Sequence, residues 1–535
     1  MIKRWRIVVP AVLALAFGPR PVAAQTLPDA VRKGDLAAVK QILASDPSRL
    51  EAPGENGQTP LILSILSRQE AVFAFLLEAG ADIRRGDARG LTALDYAAYF
   101  GRENEVERLL GRGADANGRG NVMGATPLYS AVLGGHEKAA ARLLRAGART
   151  DVGDAGGRVP LLIAAEGGRA DIVGLLLAAG ARADAADRRG CTALHLACLS
   201  GQKEAVEALI AGGSPLEARS IYGNTPLGVA VREGLAEIAG ILRAAGAKDV
   251  PAAPIPAGDY LGQKAPGRKP VLFAPGVVST ERGELNSVFT PSGSEFYFTV
   301  RGPSGRWTIM VMSRDGSRWT APRPASFSGT YSDVDLFLSP DGRTLVFSSN
   351  RPPSGTGEAK KDFDVWAVER AGEGWSAPAR LGPPVSSEAD EFYPVLTRDG
   401  TLYFQSTRPD TLGGRDIYRA RRKESAYREA ENVGAPVNGP GFEGDCLVAP
   451  DESFLIISVE RPGGYGQGDL HISFRRSDGT WTVPLNMGPD VNTEANENCA
   501  ILSPDGRYLF FTRADDVWWV EAGIIEDLRR KEMGR

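Results

Sequence analysis

Histidine is nearly missing from this sequence: His136, His195 and His471 are its three, and they are scattered over 535 residues. That pattern excludes a His-rich metal centre, which draws several ligands from closely spaced motifs. Four cysteines exclude a disulfide scaffold, and a chain of this length buries enough core to fold without one. Basic excess is absent as well. The 62 Lys and Arg against 66 Asp and Glu leave a formal charge of −4, which argues against a general nucleic-acid binder. Beyond residue 24, no stretch reaches the ~20 consecutive apolar residues of a membrane-spanning helix. Plentiful instead are glycine, at 64, and proline, at 36, which implies many turns and points to repeats.

Residues 1–24 have the layout of a secretory signal. Lys3, Arg4 and Arg6 precede a short apolar run from Ile7 to Phe17, and Val22 and Ala24 are small residues where a signal peptidase reads. The expected cut lies before Gln25, and it takes the net charge from −4 to −8 by removing Lys3, Arg4, Arg6 and Arg20. The alternative is an uncleaved anchor. Because Gln25 and not Cys follows the cut, no lipid anchor is indicated. The expected product is periplasmic or secreted, with no membrane span left after cleavage.

Two punctuation marks then run in register. One glycine recurs at Gly57, Gly90, Gly124, Gly157, Gly190 and Gly223, and a second at Gly80, Gly113, Gly147, Gly180, Gly213 and Gly246, both spaced by 33 or 34 residues. Between them lie paired apolar-periodic stretches that read as helical hairpins, with Thr-Pro-Leu starts suited to a capped helix N-terminus. The array resembles the ankyrin repeat, whose Thr-Pro-Leu-His signature stands here as Thr192-Ala193-Leu194-His195 and Thr126-Pro127-Leu128-Tyr129. It covers residues 27–247 as a degenerate cap plus six repeats. Val159 departs from the pattern by replacing the capping Thr, and the Gly118–Met123 region has one extra residue. Pro251, Pro254, Pro256 and Pro266 mark residues 248–269 as a semi-rigid Pro/Ala/Gly spacer.

From residue 270 the period becomes about fifty and the apolar pattern alternates, as in strands. Each unit carries an acid (Glu284, Asp333, Glu391, Glu443, Glu497), a turn such as Ser339-Pro340-Asp341-Gly342, and a strand ending in Arg301, Arg351, Arg408, Arg461 or Arg513. Pro-Asp-Gly is hairpin chemistry, and four short strands repeated five times read as a propeller. These motifs resemble the WD-repeat-like propellers of the TolB type, which implies a periplasmic protein that works by binding other proteins. The expected fold is multidomain, α plus all-β: an ankyrin-type α-solenoid followed by a five-bladed β-propeller over 270–522, then a tail, 523–535. The last unit lacks a fourth strand, and 270–279 is expected to supply it and close the ring.

A repeat array binds through an extended surface. Leu66, Tyr96, Tyr99, Phe100, Leu133 and Leu199 fall at its expected concave positions and are the candidate partner contacts. Arginines at the hairpin tips beside Asp87, Asp154 and Asp187 read as a solvated rim. The five repeating acids form a ring by symmetry, either lining the channel mouth to bind a cation or a basic peptide, or each pairing with its repeating Arg or capping backbone amides. The third-strand aspartates suggest structural ion pairs, Arg351 with Asp364, Arg408 with Asp416 and Arg461 with Asp469. Cys446 and Cys499 lie on adjacent first strands, which leaves a disulfide open in an oxidising compartment. No catalytic motif, metal cluster or cofactor loop is found. The reading is therefore a non-enzymatic monomer that binds protein partners and neither metal, cofactor nor nucleic acid. The alternative is a propeller that binds or processes carbohydrate or peptide, with the repeats as a docking arm.

Overall fold

Threonine side chains start the helices of the first half. Thr59, Thr126 and Thr225 accept from the backbone amides of Ile62, Tyr129 and Gly228, at 3.2, 3.2 and 3.1 Å, and proline follows each at the first helical position. Thr92 forms a reciprocal capping box with Asp95. His195 takes that place after Thr192 and reaches on to the carbonyl of Asn224 in the next repeat, at 3.1 Å. The resulting helices pair as seven hairpins among the described residues, beginning with Leu27–Lys33 and Leu36–Ser45 and ending with Pro226–Arg232 and Ala236–Ala244. Each is too short to be stable alone, and neighbours stack to bury a continuous core through Leu61, Ala97, Leu128, Leu161, Leu194 and Leu227.

The computed structural model describes residues 26–249, 255, 257–302, 304–424, 426–461 and 463–534. The expected signal, 1–24, and its cut before Gln25 lie outside the described residues. The chain divides into two compact units, Met1–Ala252 and Ala253–Arg535.

Val159 begins its helix without a side-chain cap. Val159→Thr is expected to stabilise the array by about 1 kcal/mol, a rise of about 2–4 °C in Tm. Thermal unfolding followed by circular dichroism at 222 nm measures it, and an unchanged midpoint removes the capping argument.

Among its described residues the second unit contains five antiparallel sheets. The first strands of the five blades are Glu284–Phe289, Asp333–Leu338, Glu391–Leu396, Glu443–Val448 and Glu497–Leu502. Each lies against the first strands of both neighbours, and the ring closes between the fifth and the first. They therefore form the inner wall of a five-bladed β-propeller. Val271–Leu272 pairs antiparallel with Trp519 and Trp518 of the fifth blade. The Phe273 amide donates to the Val517 carbonyl at 2.8 Å, and the Val517 amide donates to the Ser279 hydroxyl at 3.2 Å. A fourth strand from the start of the propeller thus completes its last blade and covers the edge of Asp516–Glu521.

Two stretches do more than connect. Tyr260 and Leu261, within 248–269, pack on the propeller core; Tyr260 lies 5.0 Å from Tyr508 and 5.2 Å from Phe289, ring centre to ring centre. The C-terminal residues form a helix, Gly523–Met533, with Ile525 buried. All four cysteines are buried free thiols, so Cys446 and Cys499 are not bridged.

Candidate functional site

In the repeat array the expected aromatic row is rearranged by burial. Tyr96 is only 2% exposed. Its hydroxyl donates to Asp87 at 2.8 Å and accepts from Arg89 at 2.9 Å, and burial pushes its pKa up to about 12. Tyr129, one repeat on, makes a similar strut to the following turn, donating to Asp154 at 2.7 Å and accepting from Arg158 at 3.3 Å. Tyr96 is therefore a brace inside the array and not a partner contact, because its buried hydroxyl is satisfied by Asp87 and Arg89. Phe100 stacks on Tyr96 at 6.4 Å, and Tyr99 lies edge-on to Phe100 at 5.1 Å. Phe100, Leu66, Leu133 and Leu199 are half-buried against the core, and Tyr99 is half-buried too. These five keep part of their surface.

The hairpin tips present exposed residues, in addition to Val231 on the helix Pro226–Arg232, which is 52% exposed. Ala88, Val122, Ala155, Arg188 and Ile221 occupy one repeat position, and all are exposed, Val122 by 73% and Ile221 by 51%. The strip is held by backbone bonds between repeats: Val122 to the Arg89 carbonyl, Ala155 to that of Met123 and Ile221 to that of Arg189, at 2.8–2.9 Å. One residue earlier, Asp87, Asn121, Asp154 and Asp187 each accept backbone amides of their own turn. The aspartates expected in a solvated rim are thus turn braces with shielded carboxylates, leaving guanidinium groups outermost. Periodicity could place the tip but not show which tip residues stay uncovered. The extra residue before Gly124 was the one signal for Val122.

In the propeller, the five repeating acids are fully or nearly fully buried, and in three blades each pairs with its repeating arginine. Arg351 meets Asp333 at 2.5 Å, Arg408 meets Glu391 at 3.1 Å and Arg513 meets Glu497 at 2.9 Å. The same guanidinium groups donate to Phe327, Val385 and Val491 carbonyls in the segment entering the blade, and lie over Trp366, Tyr418 and Trp518. Arg461 reaches the Val437 carbonyl at 3.3 Å in the equivalent way. Glu284 accepts from the Thr280 amide at 2.8 Å, and burial pushes the Glu443 carboxyl up. These acids are structural staples.

The expected third-strand ion pairs are corrected accordingly. Asp364 binds Lys360 and Arg380 at 2.6 and 2.7 Å, not Arg351. Asp416 accepts from the Leu412 amide and the Asn432 side chain, not Arg408. Asp469 accepts from the Tyr465 amide and Asn486, not Arg461. Trp366 and Trp519 are core, and Trp375 is stacked with Arg370 at 4.0 Å and donates to Tyr297. Their faces are already used, which disfavours a tryptophan sugar platform.

The channel is lined by other residues. Two positions after each repeating acid the first strand bulges, and Asn286, Asp335, Tyr393, Asp445 and Cys499 meet in one cavity at the centre of the ring. Of these, only Cys499 stood out in the sequence. The available signal was register: the same offset from the same acid, five times.

The first half of the molecule is an array of ankyrin repeats and the second a five-bladed β-propeller. Residues 27–120, 104–187 and 161–251 match the family model for ankyrin repeats, in three copies. The chain is 36% identical over 87 residues to ankyrin repeat and SAM domain-containing protein 6 of Rattus norvegicus, a match covering 16% of this chain and 10% of that one. It is 38% identical over 128 residues to protein PhlB of Serratia liquefaciens, covering 24% of this chain and 56% of that protein. The chain thus spans between a tenth and just over half of the length of these curated relatives. Among solved structures, the ankyrin repeat domain of Bcl-3 is 30% identical, with a TM-score of 0.37, over 41% of this chain and 97% of that one. Ankyrin repeats indicate a role in protein–protein interaction. No helix among the described residues is long and apolar enough to cross a membrane.

Proposed function

We propose that this chain is an exported, non-enzymatic interaction scaffold, acting in the periplasm or outside the cell, and that the tip strip of its repeats grips a protein partner. The observation that carries the reading is the pair Val122 and Ile221. Both are branched apolar side chains, exposed, and fixed on a turn hydrogen-bonded to its neighbour. Because their turns are already fixed, little ordering cost opposes their burial on binding. The exposed Arg119, Arg188 and Arg219 flank them, which suits a partner segment with acidic residues around an apolar one. The half-buried Tyr99, Phe100, Leu66, Leu133 and Leu199 extend the contact along the first helices. The signal-like segment at 1–24 and the TolB-like turn motifs support the envelope setting.

Val122→Asp combined with Ile221→Asp, in the full chain, is expected to reduce in-cell crosslinking to the partner by at least tenfold with an unchanged circular dichroism spectrum. Equal crosslinking would move the contact off the tips. Amino-terminal sequencing of the envelope fraction is expected to begin at Gln25; a chain retained in the cytosol starting at Met1 would remove the export reading.

A further inference from the structure

The bulge in each first strand is a strained place. Asn286, Asp335, Tyr393, Asp445 and Cys499 have φ of 42, 57, 48, 38 and 51°, in the left-handed region that side chains other than glycine avoid. A bulge re-aims one side chain, and here all five blades use it to point one residue at the common axis. If the purpose were packing, five similar apolar residues would serve. Four of the five are instead polar or acidic oxygen donors, and the fifth is a thiol.

Their hydrogen bonding is incomplete. The Cys499 amide donates to Asp445 Oδ2 at 3.0 Å, and Gln405 Nε2 lies 3.4 Å from Asp445 Oδ1. The Tyr393 hydroxyl lies 3.4 Å from Cys499 Sγ, and the Tyr393 amide lies 3.4 Å from Asp335 Oδ2. Among the described residues Asp335 Oδ1 and Asn286 Oδ1 find no hydrogen-bond partner, although the two residues are only 3% and 5% exposed. Both line the cavity, whose free space of about 10 Å³ suits one water-sized particle. Burial pushes both carboxyls up, and Arg415, which bonds Gln405 Oε1 at 3.2 Å, opposes that only in part. Buried carboxyls left so gain from a cation between them.

We propose that the propeller channel binds one small hard cation of the alkaline-earth class, through Asp335, Asp445 and the amide oxygen of Asn286. Carboxylate and amide oxygens are the donors such ions take, and water completes their shells readily. The unpartnered donors are carboxylate and amide oxygens, so a transition-metal cage of thiolate and imidazole is a poorer match. Because the donors come from the first, second and fourth blades, the ion ties the fourth sheet to two sheets that the chain does not connect to it directly.

The test uses the full chain, stripped with chelator and held at constant ionic strength and pH 7. Calcium or magnesium chloride at millimolar concentration is expected to raise the propeller's unfolding midpoint by several degrees over sodium chloride, and titration calorimetry to give one site. Asp335→Asn and Asp445→Asn should each abolish the shift while keeping the strand spectrum, and Asn286→Asp should tighten binding several-fold. A shift given equally by sodium, no divalent shift or heat up to 10 mM (water alone in the channel), or a full shift retained by Asp335→Asn overturns the proposal.

Discussion

Phe273→Ala is expected to lower the unfolding midpoint of the propeller by about 10 °C, and deletion of residues 270–279 to abolish its cooperative transition. Phe273 is fully buried at the seam. Its ring contacts Phe510 and Trp519 of the fifth blade, at 5.1 and 5.3 Å, and Phe289 and Phe296 of the first, at 6.2 and 5.5 Å. Truncating such a ring to Ala costs about 3–5 kcal/mol, at about 2–4 °C per kcal/mol in a unit of this size. Deletion does more, because it also exposes the edge of Asp516–Glu521 and leaves the Val517 amide and carbonyl without their partners. Differential scanning calorimetry reads both, with the repeat array as internal reference. A propeller transition unmoved in the deletion would mean that the ring holds without its seam.

Arg351→Met should destabilise the propeller by about 3–5 kcal/mol, since it strands a fully buried carboxylate. Asp333 then keeps only the hydroxyls of Ser328 and Ser349, at 2.7 and 2.6 Å. Adding Asp333→Asn removes the stranded charge, and the double variant is expected to recover at least half of the loss. That recovery separates the charge from the packing of Arg351 over Phe347 and Trp366, which both variants lose. If the double variant were as unstable as the single, the arginine would act through its packing alone.

The Arg351 pairing also shows where reading a sequence runs out. Ser349 stands opposite Asp333 on one side and Asp364 on the other, so an arginine two residues beyond it has both acids within equal reach. The same holds for Ser406 between Glu391 and Asp416. What decides the partner lies elsewhere: Lys360 and Arg380 already hold Asp364, and the Phe327 carbonyl draws the guanidinium toward the incoming segment. Tyr96 is the parallel case in the array. Its helical spacing is that of a surface position, but Asp87 and Arg89 in the turn below complete its hydroxyl and let it be buried.

Taken alone, the amino-acid order determined the two architectures, the repeat boundaries, the helix starts and the hairpin turns. Those depend on neighbours a few residues apart, through capping, left-handed glycine and Asp-Gly chemistry. Only the folded chain decided which acids pair with which arginines, which tip residues stay uncovered, and which five side chains share the channel. Those outcomes depend on distances between blades and between repeats, where competing partners far apart in the chain come together and burial selects among them.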